Sequence, residues 1–339
     1  MDSTPLFDAV AAPDEQARED VFTRLAQADT VGAGLGRLGE VAGWVAACQG
    51  QVPPRPVTRA RVVVFAGDHG IAARGVSLLD PGTSVVQAEQ VREGAGAVNV
   101  LARAAGASIR MVDVSLDHEA WGDERVARSS GAVDVEDAMT AEQFDRALEI
   151  GRRIADQEVD GGADLLIPGD LGVGGTTVAA TVLGAFTRTE PVAIVGPGVG
   201  MTDEMWKIKV SVIRDAMFRV RGLAAQPLEV LRMVSSPDFV ALVGFIAQAA
   251  VRRTPLLLDG ALVTTAAYVA ERLAPGARDW FWAGQLTPEP AHLIALQALD
   301  LTPLIALDMT AGQGTGALAA LPLVTSAVEL VADELSSCG

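Results

Sequence analysis

From about residue 60 onward the chain alternates short β-branched apolar runs with longer alanine-rich segments of helical period, and this alternation restricts the fold more than any other feature. Strands that are apolar along their whole length need cover on both faces. That is the pattern of a mostly parallel sheet between layers of helices, so the expected fold class is α/β. The predicted strands are RVVVFAG (61–67), SIRMVDV (108–114), DLLIPG (164–169), PVAIVG (191–196), PLLLDG (255–260), WFWAG (280–284) and PLIALDM (303–309). Most end in glycine or aspartate. Open α/β sheets bind ligands at the carboxyl ends of their strands, so the chemistry is expected there.

Two helices are predicted ahead of the first strand, from Asp14 to about Ala28 and from Gly36 to Gln49. The second places Leu38, Val41, Trp44, Val45 and Cys48 on one face. A further helix is predicted over 316–334, so the two termini are expected to form a small helical subdomain, with the proline-rich QVPPRPVTR (51–59) as its boundary. The expected division is 1–55 and 311–339 for the small domain and 56–310 for the large α/β domain.

Charge limits the partners. The 339 residues carry 43 acidic and 26 basic side chains, a formal net charge of −17, with no dense Lys/Arg patch. Nucleic acid and membrane surfaces are therefore not expected as partners. An anionic ligand has to be held locally, by backbone N–H groups and a few chosen cations. Cys48 and Cys338 lie far apart and are joined by only three histidines, which points to neither a metal site nor a disulfide framework. The acidic N-terminus lacks the pattern of a secretory leader, and runs such as Val62–Ala66 and Leu256–Leu258 are far shorter than the roughly 20 residues of a membrane span. A cytoplasmic location is expected.

Four groups of residues at strand ends are candidates for chemistry. In AGDHG (66–70), Asp68 and His69 read equally well as an acid/base pair and as a tight turn. In PGDLGVGGTT (168–177), Gly172, Gly174 and Gly175 precede a helix whose free N–H groups suit a phosphate, and Thr176 and Thr177 are N-cap candidates. The spacing matches neither a Walker A loop nor a dinucleotide fingerprint. VGPGVGMTDE (195–204) repeats the arrangement of strand, glycine loop and helix, with Thr202 as N-cap and Asp203 and Glu204 in the first turn. Lys207 and Lys209 follow. Near the C-terminus, QLTPEPAH (285–292) brings Thr287, Glu289 and His292, the last reading equally as a buried, satisfied histidine, while TAGQGTGAL (310–318) offers Gly312, Gly314 and Gly316.

In order and spacing these segments resemble the nicotinate-nucleotide:dimethylbenzimidazole phosphoribosyltransferase family of cobalamin lower-ligand assembly. The resemblance spans nearly the whole chain: GLGRLGEVAGWVAACQ (34–49), RVVVFAGDHGIAARGVS (61–77), GAGAVNVLARAAGASIRMVDV (94–114), ADLLIPGDLGVGGTT (163–177), AAVRRTPLLLDGALVTTAAYVA (249–270), TPEPAH (287–292) and GQGTGALAALPLV (312–324). It implies a Rossmann-like, mostly parallel sheet with helices on both faces, plus a small helical domain from both termini. A homodimer with active sites near its interface is implied, with a heterodimer as an alternative. The implied reaction is attack of a benzimidazole-type ring nitrogen on C1′ of nicotinate mononucleotide, giving an α-ribazole 5′-phosphate and nicotinate without a metal or redox cofactor. By the same resemblance, Asp68, His69, Ser77, Leu171, Gly172, Gly174, Thr176, Gly198, Gly200, Lys209, Thr287, Glu289 and Gly312 are expected to surround the two small-molecule substrates.

The family's C-terminal loop usually reads GEGTGA, and its glutamate is the proposed general base. Here that position is Gln313. A carboxamide does not accept a proton at neutral pH, and a general base is worth roughly 10²–10⁴-fold. The glutamate of the usual GEMGIGNTT loop is Asp170, and its asparagine is Gly175. Asp170, or a water held by Gln313, is the expected replacement base. Thr30 and Val31 replace a Lys-Pro, Pro197 and Val199 replace the Arg and Thr of GRGTG, and EPGH reads EPAH with Ala291. The base-lining SAYP segment reads Ser77, Leu78, Leu79, Asp80, and Val86 replaces a glutamine. Two readings follow: a working transferase with a changed base preference, or a catalytically impaired or repurposed paralogue that binds nucleotide or base or serves as an inactive subunit. An unrelated doubly wound enzyme using Asp68 and His69 is a third.

Overall fold

The structure, a computed structural model, describes residues 6–27, 34–196, 200–223 and 225–337. Thr30, Val31, Pro197, Gly198, Val199 and Cys338 lie outside them. The elements run α1 (Glu15–Gln27), α2 (Arg37–Gln49), β1 (Ala60–Gly67), α3 (Thr83–Arg92), α4 (Ala97–Ala105), β2 (Ser108–Ser115), α5 (Ala141–Asp160), β3 (Leu165–Leu171), α6 (Gly175–Thr187) and α7 (Pro191–Ile194). They continue with α8 (Asp203–Val220), α9 (Pro227–Val234), α10 (Pro237–Val251), β4 (Leu256–Leu258), α11 (Ala261–Leu273), β5 (Phe281–Ala283), β6 (Gln285–Leu286), α12 (Pro290–Ala298), β7 (Ile305–Ala306) and α13 (Thr315–Ser337).

Five strands form one parallel sheet in the order β2-β1-β3-β4-β5. Side chains alternate across a strand, so each strand feeds both faces. Val63, Phe65, Leu166, Leu256 and Leu258 join a cluster with α5, α6, α10 and α11, in which Phe65 meets Phe245 edge-on at 5.3 Å. Val62, Val64, Leu165, Ile167 and Leu257 join a second cluster with α2, α4 and α13. The α/β class with helices on both faces is as expected.

Two predicted strands turn out differently. Residues 191–194 form the short helix α7: Pro191 sits at its first position, where its fixed φ suits a helical turn, and the amides of Ala193 and Ile194 bond to the Glu190 carbonyl. A short apolar run does not distinguish strand from buried helix by periodicity, and here Ile194 and Val195 pack among α6, α8 and α12. Residues 303–309 leave the main sheet. The amides of Leu304 and Ile305 donate to the carbonyls of Ala283, which ends β5, and Gly284, and only β7 is strand, paired in parallel with β6.

Helices α1, α2 and α13 pack against one another and over the β3 and β4 face. Trp44 of α2 contacts Trp282 at 5.5 Å and donates its indole N–H to the Asp279 carbonyl. Helix α13 is longer than the apolar runs weighed in the sequence: by length and composition it meets the requirement for a membrane span. Leu318, Leu321, Val324, Val328 and Val331 are nevertheless buried in the second cluster, which makes it a core helix.

Candidate active site

The register of β1 with β3 places Phe65 opposite Asp170 and Ala66 opposite Leu171, so the turn after β1 and the glycine loop after β3 emerge side by side. They touch. A Cβ on Gly172 would lie 2.0 Å from the Gly67 carbonyl oxygen, so only glycine fits there. His69 joins the two segments. Its Nδ1 donates to the Val173 carbonyl at 2.9 Å, and its Nε2 faces both carboxylate oxygens of Asp238 at 3.2 Å. With an acceptor at each nitrogen, the imidazole carries both protons. Burial lowers its proton affinity, but the charge and hydrogen bond of Asp238, aided by the Val173 carbonyl, raise it overall. Burial likewise pushes the Asp238 carboxyl up, and the His69 charge outweighs that and holds it below its ordinary value. His69 thus has no nitrogen left for a substrate. Asp68 is buried as well, with one oxygen accepting from the Asp117 amide and the other without a partner. Of the two readings of Asp-His-Gly, the geometry favours the turn.

Asp170 is the penultimate residue of β3 and remains partly accessible. Its carboxyl is pushed up to about 7, first by desolvation and then by the charges of Asp259 and Asp238, with His69 pulling the other way. Its carbonyl accepts the Gln313 amide at 2.9 Å. Gly312, Gln313 and Gly314 all have positive φ, at +64°, +62° and +83°, and a Cβ on Gly312 would lie 3.7 Å from Asp170 Oδ2. Gln313 is half-buried beside Asp170. Behind this turn Asp259, fully buried after β4, accepts from Gly314 N at 3.0 Å, Ala317 N at 3.1 Å and Gln285 Nε2 at 2.8 Å.

A cavity of about 300 Å³ opens beside the start of α6, lined by Ser77, Leu78, Leu79, Gly174, Thr176, Met201, Met205, Lys209, Glu289 and Thr310. Gly174 is left-handed and precedes α6 as its N-cap, so neither Thr176 nor Thr177 caps it. Thr176 instead accepts from Lys209 Nζ at 2.8 Å. Lys209 is buried, and desolvation lowers its proton affinity, partly offset by the Glu289 charge. Lys207 is exposed. Thr202 caps α8 as expected, accepting from Met205 N at 3.2 Å. With Asp203 and Glu204 in its first turn, that helix end is already supplied with negative charge. Gly200 has φ +74° and faces Leu78.

Thr287 is buried and does not line the cavity. Its amide and hydroxyl donate to Nδ1 of His292 at 3.1 and 2.9 Å, and His292 Nε2 donates to Thr264 Oγ1 at 3.1 Å. Burial pushes His292 down to about 4, so it is neutral and structural. Of the expected residues, Ser77, Gly174, Thr176, Lys209 and Glu289 line the cavity, and Asp170, Leu171, Gly172, Gly312 and Gln313 gather at the β3 end, whereas Asp68, His69, Gly200 and Thr287 do not line the cavity and Gly198 lies outside the described residues. Val86 is exposed on α3 and does not line the cavity. Sequence reasoning missed Asp238 and Asp259. Asp259 carried a signal, being the aspartate that closes PLLLDG, whereas Asp238 reads as an ordinary acidic residue in a first helical turn.

A family model described as phosphoribosyltransferase matches residues 10–337. The nicotinate-nucleotide–dimethylbenzimidazole phosphoribosyltransferase of Corynebacterium efficiens is 59% identical over 328 residues, covering 97% of this chain and 89% of that protein. The enzyme of the same name from Mycobacterium avium is 51% identical over 325 residues, covering 95% and 91%. The crystal structure of a protein of that name from Thermus thermophilus superposes with a TM-score of 0.88 at 35% identity, covering 94% of this chain and 96% of that one. With relatives this similar over nearly the full length, on the same parallel sheet, the chain belongs to the nicotinate-nucleotide–dimethylbenzimidazole phosphoribosyltransferase family.

Proposed function

We propose that this chain transfers the phosphoribosyl group of nicotinate mononucleotide to a benzimidazole-type base, with Asp170 as the general base. A ring nitrogen lone pair of the heterocycle forms the new bond to C1′. The bond from C1′ to the pyridinium nitrogen breaks, its electron pair neutralises that nitrogen, and nicotinate leaves. The other ring nitrogen of the attacking base gives its proton to Asp170. The products are an α-ribazole 5′-phosphate and nicotinate.

The observation that carries this reading is the partly accessible Asp170 carboxyl near a strand's carboxyl end, against the turn that carries Gln313 and pushed up to about 7. A base poised near the working pH combines availability with proton affinity. Gln313 has a polar side chain beside Asp170 that can donate a hydrogen bond to a substrate but cannot take its proton. The nucleotide phosphate is assigned to Lys209, Thr176 and the N–H groups opening α6, where a helix N-terminus and a buried ammonium supply what an acidic chain otherwise lacks. Leu78 and Leu79 give the cavity an apolar wall for the heterocycle. No observation favours an inactive paralogue, and close relatives carry the transferase name. The terminal helices are assigned to the small domain, the working unit to a cytoplasmic homodimer.

The test is incubation of purified protein with nicotinate mononucleotide and dimethylbenzimidazole, followed by chromatography and mass detection. Release of nicotinate with matching appearance of ribazole phosphate is expected. Absence of both across benzimidazoles, purines and phenols would overturn the reading.

A further inference from the structure

Asp259 is fully buried and does not line the cavity, yet it is a titratable group at the carboxyl end of β4. Buried carboxylates are costly unless hydrogen-bonded, and this one is supplied by the Gly314 and Ala317 amides and the Gln285 side chain, with further support from the Gly316 amide. Gln285 is itself buried and packs so close to Gly316 that a Cβ there would lie 1.9 Å from it. The donors belong to the turn that enters α13, so Asp259 fixes that turn from behind while Asp170 holds it in front through the Gln313 amide. Gln313 is in the left-handed region, which costs a residue with a Cβ about 1 kcal/mol or more, and such a conformation persists only where neighbours dictate it. Asp259 supplies that constraint.

We infer that Asp259 is a positioning residue for the transfer, holding the Gly312–Gly314 turn against Asp170 and setting the charge environment in which Asp170 takes the proton. The inference rests on Asp170 being the base. The charged groups facing Asp170 are Asp259 after β4, Asp238 at the start of α10 and His69 after β1. His69 partly offsets the charge of Asp238 at Asp170, and Asp259 has the largest influence of the three. Its negative charge disfavours ionisation of Asp170 and so strengthens Asp170 as a proton acceptor.

The experiment compares steady-state kinetics over pH for wild type, Asp259→Asn and Asp259→Glu. Asp259→Asn is expected to leave KM for nicotinate mononucleotide within about threefold. Its kcat should fall roughly tenfold to a hundredfold through displacement of the turn. The acid limb of kcat should move about 1 pH unit lower through loss of the Asp259 charge, with Asp259→Glu as the control for loosening of the turn. Asp259→Glu keeps the charge and is expected to lower kcat with the limb in place. Unchanged kcat and an unmoved limb in Asp259→Asn overturn the inference. If that variant does not fold, a carbon-13 titration of the aspartate carboxyls in wild type decides: a coupled, two-step titration of the Asp170 signal, identified by its absence from Asp170→Asn, supports the inference, and a single step overturns it. Full activity in Asp170→Asn would remove the base reading as well. An inactive Asp170→Asn together with an unmoved limb in Asp259→Asn removes only this one.

Discussion

His69 lies with Nε2 3.2 Å from both carboxylate oxygens of Asp238, and this ion pair is buried under the glycine loop that follows β3. Removing one partner leaves the other charge uncompensated, so Asp238→Asn or His69→Phe is expected to cost about 3–5 kcal/mol. The pH dependence has a fixed sign. His69 has a raised folded-state pKa, so its contribution is complete below its ordinary 6.5 and is lost as pH rises through the raised value. Asp238 has a lowered one, so its contribution is present above 3.8 and is lost as pH falls through the lowered value. Denaturant unfolding across pH should show both losses in wild type and neither in the double variant His69→Phe/Asp238→Asn.

Lys209 is the buried cation of the cavity. Lys209→Met is expected to raise KM for nicotinate mononucleotide by roughly 10–100-fold, the worth of a hydrogen bond to a charged group at about 1.5–3 kcal/mol. A smaller effect on KM for the heterocycle should accompany it. Initial-rate kinetics with each substrate varied separately checks this, and an unchanged nucleotide KM would place the phosphate elsewhere.

Gly172 and Gly82 make opposite predictions. Gly172→Ala would drive a methyl into the Gly67 carbonyl, 2.0 Å away, and should cost about 1–3 kcal/mol and misplace the loop. Gly82 has φ −63° and open space around its Cβ position, so Gly82→Ala should be neutral or mildly stabilising. Thermal unfolding of the two variants side by side distinguishes a packed contact from a general intolerance of side chains at glycine.

Gln313→Glu separates the two possible bases. The Gln313 amide is anchored on the Asp170 carbonyl, so a glutamate there brings a second carboxylate next to the first. In wild-type background the change should alter kcat by less than about tenfold, and in the Asp170→Asn background it should restore at least that much. A rise of roughly 10²-fold in the wild-type background would mean that Asp170 does not supply the base.

The sheet was legible because fully apolar strands ending in glycine or aspartate leave few alternatives, and the terminal helices were legible from their spacing. The run 191–196 was not: its four helical residues are too few to show a period, and burial among α6, α8 and α12 decided their conformation. Thr176 was expected as a cap and proved to be the acceptor for Lys209, a contact between residues 33 positions apart that local sequence does not encode. Asp238 and Asp259 were hidden for the same reason. Each draws its meaning from partners on other elements, His69 for one and the α13 entry for the other.

The pH dependence of kcat at saturating substrates, measured for wild type and Asp170→Asn, bears most directly on Asp170 as the proton acceptor. Asp170 acts only when ionised, so wild-type kcat should fall as pH drops through about 7. Asp170→Asn should lose that limb and roughly 10²–10⁴-fold in rate, while any limb due to the heterocycle's own ring nitrogen remains. An Asp170→Asn enzyme that keeps both the wild-type rate and the same acid limb would contradict that assignment.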